Sequence, residues 1–184
     1  MLSYHKDLQI RQKYTPGHVR TKPVKHIVIH GTGGASNARP LIKWMLNPGQ
    51  AQANRYKRGV ALFHYMIDRD GSITELIDPS RWVYHASIGR MDGGTIGIEL
   101  GNPSKTNGEP YTDSQYVALV NLIEFLLADY RDIDSIISHR YAKEVMGKSG
   151  TKNCPGNFDW ELLSNMLKKF GVTRKAHDCL QLNL

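Results

Sequence analysis

Three residues of the types that bind transition metals lie in turn-like parts of the sequence: His30, His139 and Cys154. His30 ends the β-branched run Lys25–His30, and His139 ends the run Asp134–His139, so both histidines are predicted at strand ends. Such strand ends are where sites are usually built in open α/β sheets. Cys154 follows in the polar stretch TKNCPGNFDW. Two imidazoles, one thiolate and one open position suit a catalytic zinc ion.

The same residue types also have an ordinary structural interpretation. A histidine at a strand end is commonly a hydrogen-bonded polar residue, and a lone cysteine commonly behaves as a small apolar side chain. The spacing is not a compact metal-binding motif. No fourth ligand is indicated, because His64 and His85 are predicted within a strand and a loop. The residue types alone therefore leave the structural and metal-binding interpretations open.

The elements that would position these residues alternate between strands and helices. Strands are predicted for Lys25–His30, 61–71, 72–78, Thr95–Asn102 and Asp134–His139, and Asp70-Gly71 is typical of a hairpin turn. Helices are predicted from Asn37, from a capping box at Thr112 and Gln115, and from an N-cap at Asp159. The apolar face of the second helix is predicted to be Val117, Val120, Ile123, Leu126 and Leu127. This alternation predicts a single α/β domain with a central mixed β-sheet flanked by helices.

Length and composition fit one globular domain. The chain has 184 residues, of which 40% are apolar and 22% charged, enough for one sizeable core. We predict a basic N-terminal arm over 1–24, a catalytic domain over 25–171 and a C-terminal tail over 172–184. Two cysteines are too few for a disulfide framework.

Charge and hydropathy restrict the partners and the location. The first 20 residues contain no apolar segment typical of a secretory signal peptide, so we expect synthesis and initial residence in the cytoplasm. No run of about 18 apolar residues predicts a membrane span. The net charge of +7 indicates an anionic partner, but no aromatic–basic motif indicates nucleic acid. We expect a monomer that does not bind nucleic acid.

Five blocks in order resemble a known family: IVIHGTGG, FHYMIDRDGSI, TIGIELGNP, ISHRYA and TKNCPGNFDW. Together they resemble the zinc-dependent N-acetylmuramoyl-L-alanine amidases of the amidase-2 type, from about Lys25 to about Phe170. The resemblance implies a central mixed sheet with one Zn²⁺ in a surface groove. It also implies that His30, His139 and Cys154 are the zinc ligands.

The resemblance implies further catalytic roles. Glu99 matches the catalytic glutamate of some branches, and Lys152 matches a lysine that stabilises the transition state. Amide hydrolysis needs a base that moves a proton to the leaving nitrogen and positive charge where the oxyanion develops, which these two side chains can supply. The phage lysozyme branch has a catalytic tyrosine where this sequence has Phe63, so the chain resembles the glutamate-using members.

We assign the substrate-binding groove to His64, Tyr65 and His85. His85 resembles a groove-lining histidine of the family, and Tyr65 lies near the position of the missing catalytic tyrosine.

The resemblance implies cleavage of the amide bond between N-acetylmuramic acid and L-alanine in bacterial peptidoglycan. Cys154 as third ligand, where recycling amidases usually carry an aspartate, favours a phage or prophage endolysin that reaches the cell wall after release through a holin pore. The alternatives are a cytosolic anhydromuropeptide-recycling amidase, a non-catalytic peptidoglycan-binding module and a zinc peptidase that cuts within the stem peptide.

Overall fold

The fold is built on an eight-stranded mixed sheet and a separate two-stranded sheet. A computed structural model describes residues 4–6, 18–46, 63–86, 91–148, 153–176 and 179–182. The strands are β1 (Tyr4–Lys6), β2 (His18–Val19), β3 (His26–Gly31), β4 (Tyr65–Ile67), β5 (Ile73–Glu75), β6 (Arg81–Trp82), β7 (Thr95–Leu100), β8 (Ser135–Ser138), β9 (Val172–Ala176) and β10 (Cys179–Leu182). The large sheet has the order β1-β5-β4-β7-β3-β8-β10-β9, and β2 pairs with β6.

The centre of the large sheet is parallel and fully covered. Strand β3 pairs in parallel with β7 on one side and with β8 on the other, and β4 extends the parallel set beyond β7. The apolar residues of β3 and β7 are buried on both faces, as expected for parallel strands that helices cover on both sides. The predicted α/β fold with a central mixed sheet is confirmed.

The described residues include four α-helices, α1 (Ala38–Leu46), α2 (Asp113–Asp129), α3 (His139–Val145) and α4 (Trp160–Met166), and α2, α3 and α4 pack against the sheet. The predicted capping box of α2 is present, because Thr112 accepts from the backbone of Gln115 and the Gln115 side chain accepts from the backbone of Thr112. Asp159 caps α4 as predicted, through the backbone N–H groups of Glu161 and Leu162. None of the helices in the described ranges has the length and apolar character that crossing a bilayer requires.

The buried face of α2 differs from the predicted face at one position. Val120, Ile123, Leu126 and Leu127 are buried as predicted, but Val117 is 47% exposed. The face that contacts the sheet is instead continued by Tyr116, Ala118 and Leu119. The buried residues of α2 form a wide stripe along the helix. The spacing of apolar residues does not show where the edge of such a wide stripe lies, so Val117 was placed on the wrong side of it.

The predicted hairpin forms with shorter strands. Strands β4 and β5 pair antiparallel, and Gly71 in the connecting turn has a φ of 87°, a conformation that favours glycine. The first strand covers only Tyr65–Ile67 of the predicted 61–71, and residues 61–62 lie outside the described residues.

Both predicted terminal extensions contribute strands. Within the arm predicted over 1–24, β1 pairs with β5 at the sheet edge and β2 pairs with β6. Within the tail predicted over 172–184, β10 pairs with β8 and β9 pairs with β10. Strands of two to five residues at the edges carry too short a pattern to be predicted from periodicity.

Arg20 joins the arm to the domain interior. Its guanidinium donates to the backbone carbonyls of Pro79, Gly93 and Thr95 at 2.7, 2.9 and 2.8 Å. Burial lowers the pKa of Arg20 to about 10. These contacts place Arg20 beside Thr95, the first residue of β7, the strand that carries Glu99.

The corrected face of α2 can be tested with two identical substitutions. We expect Val120→Ala to lower the free energy of unfolding by about 2 kcal/mol, because Val120 is 8% exposed and loses buried methyl groups. Val117→Ala should change it by less than about 0.5 kcal/mol, because Val117 is exposed. Urea denaturation of both variants measures the difference. Equal losses would contradict this helix orientation.

Candidate functional site

The parallel register places His30 and Glu99 side by side. His30 on β3 is the direct partner of Glu99 on β7, so the two side chains project from the same face of the sheet. His30 Nδ1 lies 4.0 Å from Glu99 Oε1, and both side chains are buried. The strand pairing alone therefore brings a candidate ligand next to a candidate base.

His139 approaches His30 from the neighbouring strand. Ser138 ends β8 and is the N-cap of α3, so His139 begins a helix rather than ending a strand as predicted. Strand β8 pairs with β3 so that Ser138 is the partner of Ile29. The imidazole rings of His139 and His30 lie 4.5 Å apart between centroids.

Cys154 comes to the same place on a loop that follows α3. The backbone N–H of Gly31 donates to Cys154 Sγ at 3.5 Å, and the Cys154 carbonyl accepts from the N–H of Arg140 at 3.1 Å. The Tyr111 hydroxyl donates to the carbonyl of Pro155 at 2.6 Å. These contacts of Cys154 and Pro155 therefore hold the sulfur beside the end of β3.

Asn107 ties the loop after β3 to the cysteine loop. Its side-chain oxygen accepts from the N–H of Gly33 at 2.8 Å and its amide donates to the Gly31 carbonyl at 3.3 Å. Its own carbonyl accepts from the N–H of Asn157 at 3.0 Å. A side chain at Gly31 would collide with Asn107 and with the Tyr111 hydroxyl, so the glycine permits this close packing.

The three predicted ligands meet with a geometry that suits one metal ion. One ligand atom from each of His30, His139 and Cys154 lies within 4.8 Å of the other two. Around tetrahedral zinc these separations are about 3.3–3.7 Å, so a small contraction would complete the site. Two imidazole nitrogens and one thiolate are also the donor types that zinc prefers.

Burial keeps the two imidazoles in the form that binds metal. Burial, followed by the neighbouring His139, holds the pKa of His30 well below its usual range. Burial lowers the pKa of His139 to about 4. Both rings are therefore neutral near pH 7, with a lone pair available.

The same burial opposes charge on Cys154 and Glu99. It raises the pKa of the Cys154 thiol to about 12 and the pKa of the Glu99 carboxyl to about 8. A bound divalent cation reverses this preference, since it favours thiolate and carboxylate. Glu99 Oε2 is buried and has no hydrogen-bond partner among the described residues. An unsatisfied buried carboxyl oxygen is costly, which is typical of a group with a functional task.

The cluster lies in a groove of about 710 Å³, a volume within the range of sites that bind a drug-sized ligand. Sequence reasoning missed several of its lining residues, namely Gly31, Thr32, Gly33, Lys105, Thr106, Asn107, Lys143 and Asn153. Lys143 lies one helical turn after His139 on α3. The spacing of four residues would have indicated Lys143 as a groove residue only if helix α3 had been predicted to begin at His139.

The three predicted substrate-binding residues have different environments. His85 lines the groove, whereas His64 and Tyr65 are fully buried and offer no surface to a substrate. The assignment of His64 and Tyr65 to direct substrate contact is therefore corrected. Phe63 lies near the site, with its ring centroid 6.4 Å from that of His30. Lys152 lies outside the described residues.

His64 has a structural role in this fold. Its Nδ1 accepts from the N–H of Gly97 at 2.9 Å and its Nε2 donates to the Arg81 carbonyl at 3.0 Å. Burial, followed by the positive charge of Arg20, lowers the pKa of His64 to about 3. The neutral ring thus joins β7 to the segment that leads to His85.

The fold and the site together define an α/β domain with a candidate metal-binding cluster in a surface groove, and comparison with known proteins gives the family. The family model described as N-acetylmuramoyl-L-alanine amidase matches residues 20–157. The chain belongs to this family.

Sequence relatives include the 1,6-anhydro-N-acetylmuramyl-L-alanine amidase AmpD of Haemophilus influenzae, which is 32% identical over 114 residues. The match covers 57% of this chain and 58% of that protein. A second AmpD, from Enterobacter cloacae, is 31% identical over 109 residues, which are 55% of this chain and 54% of that protein. The chain therefore spans little more than half the length of the curated relatives it matches.

Solved structures share the fold over almost the whole chain. The N-acetylmuramoyl-L-alanine amidase LysC from Clostridium intestinale superposes with a TM-score of 0.65 at 23% identity, covering 91% of this chain and 99% of that one. The Drosophila peptidoglycan recognition protein SD superposes with a TM-score of 0.63 at 19% identity, covering 89% and 94%. At these identities the likeness concerns the fold alone.

The role of His64 predicts a pH dependence of stability. The unfolded chain protonates His64 near pH 6.5, but the folded chain does so only near pH 3. Its contribution to stability is therefore complete above pH 6.5 and is lost as the pH falls toward 3, with a slope of up to about 1.4 kcal/mol per pH unit.

We expect His64→Asn to reduce this slope, as measured by urea denaturation of the metal-free protein between pH 4 and 8. Wild-type protein in the same buffers is the reference, because the other buried histidines add their own pH dependence to both proteins. An identical slope for the variant would contradict the assignment.

Proposed function

We propose that this chain is a zinc-dependent N-acetylmuramoyl-L-alanine amidase that hydrolyses the amide bond between N-acetylmuramic acid and L-alanine of the peptidoglycan stem peptide. The observation that carries the proposal is the convergence of His30, His139 and Cys154 beside the buried carboxyl of Glu99. Family membership supports the choice of bond. The groove supports a substrate of muropeptide size.

Zinc is the proposed metal because of the donor set. One thiolate excludes the oxygen-preferring ions Mg²⁺ and Ca²⁺, and two neutral imidazoles suit Zn²⁺. When bound, zinc supplies polarisation of the attacking water and of the scissile carbonyl. Three protein ligands leave a fourth position open, which is the arrangement of catalytic rather than structural sites.

Glu99 is the proposed general base. Its carboxyl lies beside His30, and its Oε2 has no other partner among the described residues. In the reaction the water oxygen forms a bond to the carbonyl carbon, the C–N bond breaks, and the amine nitrogen needs a proton. Glu99 can take the proton from the water and donate it to that nitrogen. A nearby cation keeps Glu99 ionised for the first transfer.

Lysines are the proposed source of further positive charge. We retain Lys152 as the residue that stabilises the developing oxyanion, on the basis of its match to the family lysine. Lys143 in the groove wall adds a second positive charge near the same centre. A fixed cation at a developing oxyanion is worth a few kcal/mol in the transition state.

For the biological role we propose a phage or prophage endolysin that is released through a holin-type pore and acts on the cell wall as a monomer. Cys154 as third ligand supports this role. The sequence relatives named 1,6-anhydro-N-acetylmuramyl-L-alanine amidase support the second candidate, a recycling amidase that acts on soluble anhydromuropeptides.

Two substrate forms separate these roles. Purified intact sacculi and soluble anhydromuropeptides are digested in parallel, and the products are identified by mass spectrometry. We expect stem peptides with a new L-alanine N-terminus, released faster from sacculi than from anhydromuropeptides. Faster release from anhydromuropeptides would favour recycling, and cleavage within the stem peptide would contradict the amidase proposal.

The metal assignment predicts a difference between the two cysteines. We expect about one zinc per wild-type chain, and we expect Cys154→Ser to lose most zinc and activity because a thiolate ligand is removed. Cys179→Ser is the matched control, because Cys179 is the other cysteine of the chain, is buried on strand β10 and is not among the three clustered residues. Elemental analysis and turnover measure both. Full zinc occupancy and activity in Cys154→Ser would show that the ligands are misassigned.

The base assignment predicts a loss of rate without loss of metal. Glu99→Gln keeps the shape of the side chain but cannot take a proton, so we expect turnover to fall by roughly a hundredfold or more. Zinc content and thermal unfolding should stay close to wild type. Glu109→Gln, which changes an exposed glutamate, is the control. Near wild-type turnover in Glu99→Gln would remove this residue from the mechanism.

A further inference from the structure

A chain of buried side chains runs from His30 to the turn at Asp92. His30 Nε2 lies 3.0 Å from His85 Nδ1, and His85 Nε2 lies 2.7 Å from the Thr95 hydroxyl. The Thr95 hydroxyl donates to the Asp92 carbonyl at 3.3 Å. The side chains of His30, His85, Thr95 and Asp92 are buried, so their hydrogen bonds are formed within the protein rather than with solvent.

The contacts of Thr95 favour one arrangement of protons on the rings. A hydroxyl has one proton, and when Thr95 donates it to the Asp92 carbonyl, the hydroxyl oxygen accepts from His85 Nε2–H. The neutral His85 ring then has a lone pair on Nδ1, which accepts from His30 Nε2–H. The Asp92 carboxyl, 3.8 Å from His85 Nε2, favours the same arrangement. The lone pair of His30 is therefore on Nδ1.

A second branch from Asp92 reaches the other candidate ligand. Asp92 Oδ1 accepts from the N–H of Ala86 at 2.9 Å. The Ala86 carbonyl lies 3.2 Å from His139 Nε2. A carbonyl can only accept, so His139 carries its proton on Nε2 and its lone pair on Nδ1. Two adjacent residues thus orient the two candidate ligands. The His85 side chain contacts His30, and the Ala86 carbonyl accepts from His139.

We propose that His85, Thr95 and Asp92 are positioning residues that set the tautomers of both candidate metal ligands. The proposal rests on the proposed function, in that the two Nδ1 lone pairs are held ready for the zinc ion. If the chain of hydrogen bonds ran in the opposite direction, His85 Nδ1 would donate to His30, and the proton of His30 would occupy Nδ1. His85 is then a support for a ligand rather than a substrate contact.

The backbone leaves room for this arrangement. A Cβ atom at Gly97 would lie 2.5 Å from His85 Cγ, so only glycine on β7 lets the His85 ring lie against the strand. Gly97 also donates its N–H to His64. The sequence MDGGTIGIEL therefore holds three parts of the unit, which are the Asp92 anchor, the Thr95 acceptor and the Gly97 space.

The tautomers can be observed directly in the metal-free protein. The ¹⁵N chemical shifts of the imidazole rings distinguish protonated from unprotonated nitrogens. We expect His30, His85 and His139 all to carry the proton on Nε2 near pH 7. A proton on Nδ1 of His30 or His139 would overturn the proposal without the need for any variant.

Substitution measures the effect on metal binding. His85→Phe leaves His30 Nε2–H without a partner, so we expect zinc affinity, measured by chelator competition, to fall by roughly 10–100-fold. Thr95→Val removes the hydroxyl that accepts from His85, and we expect a loss of about tenfold. Thr95→Ser should restore affinity close to wild type, because it restores the hydroxyl.

A matched control separates this effect from general destabilisation. Thr74→Val removes a buried hydroxyl on β5, outside the cluster, and should leave zinc affinity unchanged. Wild-type zinc affinity in both Thr95→Val and His85→Phe would overturn the proposal. If His85→Phe does not fold, the Thr95 pair and the wild-type tautomers still decide. A wild-type protein that binds no zinc would instead contradict the proposed function.

Discussion

The parallel pairing of three strands is the constraint on which the candidate site depends. Strand β3 lies between β7 and β8, so the end of β3 has one neighbour on each side. Parallel strands present the same ends at the same sheet edge, and their direct partners share a face. His30 therefore lies beside Glu99 through strand pairing on one side, and on the other side β8 leads into the helix α3 that begins with His139. A shift of one residue in the pairing of β3 with β7 would direct His30 and Glu99 to opposite faces.

The site also depends on the burial of several polar side chains in contact with one another. Two neutral imidazoles, a thiol and a carboxyl share a low-dielectric end of the sheet, where charge is disfavoured. Such a cluster is costly unless hydrogen bonds or a metal ion satisfy it. The hydrogen bonds of Ala86, His85 and Gly31 satisfy the outer atoms of the cluster. The candidate ligand atoms of His30, His139 and Cys154 lie together at the groove, and one divalent cation would satisfy all three.

The sequence predicted the central strands and the capped helices, because β-branched runs, a capping box and an N-cap aspartate are local signals. The clustered residues His30, His139 and Cys154 were implied by the family resemblance, since their spacing alone left the structural and metal-binding interpretations open. The sequence did not predict β9 and β10 or the strands of the arm, because short edge strands depend on partners distant in the chain. It could not show that the side chains of His64 and Tyr65 are fully buried, because nearness in sequence to the family's tyrosine position does not indicate burial. Lys143 was missed because His139 was predicted to end a strand rather than to begin a helix.

The central claim of this account is that one zinc ion is held by two imidazoles and one thiolate. X-ray absorption at the zinc edge of the purified protein tests it most directly, because the method counts sulfur and nitrogen neighbours separately. The account predicts one sulfur at about 2.3 Å and two imidazole nitrogens at about 2.0–2.1 Å, with one further light atom. A zinc shell without sulfur, or with more than one sulfur, would contradict it.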